Sequence, residues 1–98
     1  MSNKVSVQVL LLHEGSLWAA YTLKPAFEIK APTIPAVLSL LVTELRGRIR
    51  DYEVGSPYAF GGLGGPTWQR NLFYEGVPLA PVELAEIADT VDVEIRMV

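Results

Sequence analysis

The chain has 98 residues, half of them apolar, and eleven acidic side chains against eight basic ones give a formal net charge of -3. That length supplies one hydrophobic core rather than two, and the negative balance offers no long-range pull toward phosphate backbones, which disfavours nucleic acid as a partner. Cysteine is absent, which excludes disulfides, thiolate metal sites and thiol nucleophiles and fits the cytoplasm.

Met1 to Gln8 alternates polar and apolar residues instead of forming the apolar run of a secretory leader. No window reaches the roughly 18 apolar residues of a membrane span; Ile34 to Leu45 is interrupted by Pro35, Ser39, Thr43 and Glu44. The expectation is a cytoplasmic domain without a membrane segment.

Val5, Val7, Val9 and Leu11 mark one face of a period-two strand, with Ser6 and Gln8 on the other. Leu10 and Leu12 break that polar face, so its outer side is expected to meet a second layer, either the carboxy-terminal segment or another subunit. His13-Glu-Gly15-Ser16 predicts a hairpin with Gly15 in the turn, and residues 17 to 24 form the return strand. Pro25 cannot donate to a ladder, so it should end that strand or sit in a short reversal before Phe27 and Ile29 resume the alternation in a third.

At Thr33 the period changes. Thr33 suits an N-cap and Pro35 the first helical turn, while Ile34, Leu38, Leu41, Leu45 and Ile49 recur at helical spacing, flanked by Val37 and Val42. Arg46, Arg48 and Arg50 complement the carbonyl end of this helix, and Gly47 is expected to loosen it there. Residues 51 to 66, rich in glycine and proline, read as an irregular connector with Tyr58 and Phe60 folded back onto the body. Thr67 to Gly76 fits either a helix, with Trp68, Leu72 and Phe73 on one side, or a strand. A single helical turn at Val82 to Ile87 precedes a last alternating strand from Val91 to Val98.

Chemistry-bearing residues are sparse. His13, the only histidine, sits beside a turn with Glu14 and has no spaced serine or cysteine partner, so a solvent-exposed turn residue is expected rather than a general base. Gly61 to Pro66 resembles a phosphate-cradling loop only superficially, lacking the following lysine. Glu83, Glu86, Asp89, Asp92 and Glu94 alternate with apolar positions and read as a solvated face rather than a metal site. Trp18 and Tyr21 lie on opposite faces of the return strand; with a helix on one side of the sheet only, the outward aromatic joins Leu10 and Leu12 as an interface.

Trp18-Ala-Ala20, Leu23, Phe27, Ile29, Thr33-Ile-Pro35 and Ala36 to Leu41 resemble the opening of the HicB family, the antitoxins of HicA–HicB toxin–antitoxin pairs. Gly62-Leu-Gly-Gly-Pro66, Trp68 and Leu72-Phe73 are similar to the continuation of its stand-alone members. The resemblance covers roughly residues 5 to 75; Ala31 stands where the family commonly has glycine, and Pro35 and Ala36 where carboxylates often follow the threonine. It implies a degraded RNase H-like sheet with one helix against it, and a non-catalytic role in which the protein covers a small basic toxin or pairs with itself. No catalytic residue carries over, and no appended DNA-binding segment is expected.

The last third resembles a ubiquitin-like β-grasp domain instead, with a strand at Asn71 to Gly76, the turn at Val82 to Ile87 and the final strand. The ending Met97-Val98 lacks the paired glycines of a conjugation tail, so this alternative implies a binding adaptor. The expected fold is therefore α+β, an antiparallel three- to four-stranded sheet with one main helix on one face in the order β-β-β-α-β, over residues 1–98 as a single domain. The expected function is protein binding without cofactor or enzymatic chemistry, through Leu10, Leu12, Trp18 and Tyr21, with self-association.

Overall fold

The computed structural model describes residues 4–55 and 59–98. Five strands, β1 (Val5–Glu14), β2 (Leu17–Thr22), β3 (Phe27–Ala31), β4 (Val77–Leu79) and β5 (Val91–Met97), form one sheet in the order β3-β2-β1-β5-β4. Two α-helices, α1 (Ile34–Glu53) and α2 (Thr67–Glu75), and a 3-10 helix over Val82–Ile87 complete the α+β fold. The sheet is thus larger than the three or four strands expected. It is also mixed: β1 pairs parallel with β5, whereas its pairing with β2, and those of β2 with β3 and β4 with β5, are antiparallel.

Side-chain alternation explains the central register. Val5, Val7, Val9 and Leu11 lie opposite Val91, Val93, Ile95 and Met97, while Ser6 and Gln8 lie opposite Asp92 and Glu94. A slip of one residue would set the apolar row against the acidic one, so burial of one face selects this pairing. The β1–β2 turn uses Gly15 at φ 59°, a left-handed conformation that favours glycine. At the other end of β2, Thr22 Oγ1 accepts the Phe27 N–H at 2.9 Å and starts β3.

Thr33 caps α1, its Oγ1 accepting the Ala36 N–H at 3.3 Å, and Pro35 occupies the first turn. The helix continues through Gly47 to Glu53, so the loosening expected at Gly47 does not end it. Val37, Leu38, Leu41, Val42 and Leu45 are buried against Val7, Val9, Leu11, Ala20, Val91 and Ile95. Each fully buried aliphatic side chain contributes about 1.5–3 kcal/mol of transfer free energy, and this layer is the main core.

The opposite face is not bare. Residues 67–75 are helical, and α2 lays Phe73 on Leu10, Ala19, Tyr21 and Leu23, with Leu12 and Leu72 packed at the rim. The second layer implied by Leu10 and Leu12 is therefore α2; the carboxy-terminal strand lies beside β1 within the sheet. The strand imagined at Asn71 to Gly76 begins only at Val77. Between the helices, residues 59–66 pass round the end of the sheet, where Ala26 N donates to Leu63 O at 3.1 Å and Gly65 N to Leu23 O at 2.8 Å. Phe60 folds back onto the core and meets Tyr52 edge-on at 5.8 Å; Tyr58 lies outside the described residues.

Candidate protein-interaction surface

The sheet face under α2 carries the most diverse side chains. Leu10, Ala19 and Phe73 are fully buried there, and Tyr21 is 7% exposed. Trp68, one α-helical turn before Leu72, stands edge-on to Tyr21 with ring centroids 5.4 Å apart and remains 45% exposed. Arg96 braces the other end of α2. Its guanidinium lies 4.9 Å from the Phe73 ring centroid and donates to Tyr74 O at 3.4 Å, while Glu94 accepts from it at 3.0 Å. Gly76 lets the chain leave α2 close to β5, since a Cβ there would lie 2.9 Å from Arg96 Cβ.

Around Tyr21 the polar groups satisfy one another. Its hydroxyl donates to Glu14, and Lys30 Nζ lies 3.1 Å from Glu14 and 3.7 Å from Glu28. The Tyr21 hydrogen bond and Lys30 hold the Glu14 carboxyl below its ordinary range. Burial, reinforced by the Glu14 carboxylate, pushes the Tyr21 phenol well above its ordinary value. Lys30 is raised, chiefly by Glu14. These shifts favour the charge states that the network already uses. Beside them, Tyr21, Ala26, Phe27, Glu28 and Gln69 line a shallow groove of about 230 Å³, and Gln69 Oε1 is buried without a hydrogen-bond partner among the described residues.

The four residues expected to bind a partner are thus dispersed. Leu10 and Tyr21 lie beneath α2; Leu12 is half-buried at its rim; Trp18 is on the α1 side, stacked on His13 at 4.6 Å. The reasoning that left one aromatic of β2 on an open face fails because α2 covers that face, and the exposed aromatics of this layer are Trp68 and Tyr74 of α2. The one available signal was the interruption of the polar face of β1 by Leu10 and Leu12.

Elsewhere, charged groups serve packing. Arg46 pairs with Glu86, tying α1 to the 3-10 helix. Arg48 pairs with Glu44 at 3.3 Å, donates to Ala59 O at 3.0 Å and lies 4.5 Å over the Phe27 ring. His13 is exposed at the hairpin. In the glycine-rich loop, the Gly65 N–H is committed to Leu23. Among the described residues no three acidic or histidine side chains converge as a metal site, and no helix is long and apolar enough to cross a membrane. Comparison with protein-family models, curated proteins and solved structures returns no match.

Proposed function

We propose that the chain is a non-catalytic protein-binding domain of HicB-like antitoxin type, which covers a partner protein through the α2 side of the sheet. The observation that carries this reading is Trp68: a large aromatic 45% exposed, held edge-on by Tyr21, itself part of the apolar cluster that Leu12 and Leu72 border. A rigid aromatic on an apolar seat with charged groups around it is the usual composition of a binding hot spot. The nearby ionisable groups are engaged with one another, which supports binding over chemistry.

The meander β1-β2-β3 followed by α1, and the helix over residues 67–75, agree with what the HicB resemblance implies. The β-grasp adaptor alternative draws support from β4, which pairs antiparallel with β5 and is followed by the 3-10 helix. An acidic protein suits a basic partner. Co-expression with a small basic protein encoded beside its gene tests the proposal. The chain should co-purify with that protein and neutralise its toxicity, and Trp68→Ala should weaken the complex by ~tenfold or more while the fold is retained. Absence of binding, or binding indifferent to Trp68→Ala, would overturn it.

A further inference from the structure

β3 is an outer strand, and its hydrogen-bond pattern leaves one edge available. Leu23 N donates to Gln8 O at 2.9 Å, so alternate residues Tyr21 and Ala19 turn their main-chain groups toward β1, and Thr22, Ala20 and Trp18 turn theirs toward β3. Their partners Phe27, Ile29 and Ala31 therefore face inward. The Phe27 N–H bond to Thr22 Oγ1 agrees. What remains are the N–H and C=O groups of Glu28 and Lys30, directed away from the sheet, with β3 touching chiefly β2 and α1 among the described elements.

We propose that two copies of the chain pair antiparallel through β3 about a twofold axis at Ile29, extending the five-stranded sheet across both copies. A twofold axis normal to the sheet sets residues of the same face opposite one another, so it can pass through Glu28, Ile29 or Lys30. Through Glu28 it would confront two carboxylates, and through Lys30 two ammonium groups; both are unfavourable. Through Ile29 it places Glu28 opposite Lys30 twice, lets those residues exchange their outward hydrogen bonds, and sets Ile29 on Ile29 and Phe27 on Ala31.

Charges on an outer strand ordinarily discourage pairing. Here the order Glu28-Ile29-Lys30 is self-complementary in one register, so the same charges select it. The α1 side adds apolar area. Leu40, Glu44 and Arg48 share a stripe of α1, and Arg48 rests on Phe27 of β3; the stripe thus lies toward this edge, where Leu40 is 48% exposed and faces its counterpart across the axis.

Sedimentation equilibrium across the micromolar to millimolar range tests the proposal, with circular dichroism to establish that each variant folds. The wild-type chain should be a dimer that weakens with salt. Glu28→Lys and Lys30→Glu should each raise the dimer dissociation constant by about tenfold or more, because both symmetric pairs become repulsive. An equimolar mixture of the two variants should recover a heterodimer, since each then presents the opposite charges to the other. Trp68→Ala should leave the dimer intact, which separates this edge from the α2 surface. A wild-type chain that stays monomeric, or variants whose mixture associates no better than each alone, would overturn the pairing.

Discussion

The two faces of the sheet are built on opposite plans. On the α1 side, every strand contributes its apolar alternate residues, and a twenty-residue helix together with Leu84 and Ile87 of the 3-10 helix covers them. Under α2, a nine-residue helix covers only Leu10, Ala19, Tyr21 and Leu23, while Ser6, Gln8, Asp92 and Glu94 of the same face line an open, polar groove. The first face is a continuous core. The second is a small apolar island beside solvated strands, and at its border buried and exposed groups meet in one network. At that border Trp68, 45% exposed, stands edge-on to the buried Tyr21.

The contrast can be tested by substitution. Phe73 is the largest fully buried side chain among the described residues and the centre of the island. Phe73→Ala should cost about 3–5 kcal/mol in urea unfolding, the range for aromatic truncation in a packed core; a cost near zero would mean that α2 is not a roof. Leu41→Ala removes a fully buried side chain beneath α1 and should cost about 2–5 kcal/mol. Its effect should spread over the whole sheet, whereas Phe73→Ala should first release amide exchange around α2.

Thr33→Ala removes the α1 cap and should cost about 1 kcal/mol, visible as a lower urea midpoint with an unchanged slope. The smallest effect concerns pH. Because Glu14 is held below its ordinary 4.5 by Tyr21 and Lys30, its contribution is present above that value and lost as pH falls through the folded pKa. Glu14→Gln should therefore flatten the acid limb of the stability profile slightly. The Tyr21 phenol, raised by burial and Glu14 from its ordinary 10.0, contributes below that value and loses the contribution as pH climbs through the folded pKa. Tyr21→Phe should flatten the alkaline limb; unchanged limbs would show that this network carries no linkage.

Local signals foretold much of this fold. Alternation located β1 and β5, Gly15 the hairpin, and Thr33 with Pro35 the start of α1, because each depends on neighbouring residues alone. Thr67 to Gly76 stayed ambiguous because so short a run spans too few turns for period 2 and period 3.6 to separate. The cover over Leu10 and Tyr21 escaped the sequence for a related reason. Leu10 and Tyr21 are apolar on a nominally outer face, and no local property distinguishes a face covered by another subunit from one covered by a later helix of the same chain.

By itself the sequence determined the strand periodicities, the long capped helix and the lack of thiol chemistry, since these follow from side-chain type and spacing within a few residues. Only the tertiary structure decided that β5 lies parallel beside β1, that α2 closes over Leu10 and Tyr21, and that Trp68 and Tyr74 of α2 stay exposed. Those outcomes depend on which distant segments meet, and the choice is made by the total apolar area that one arrangement hides from water.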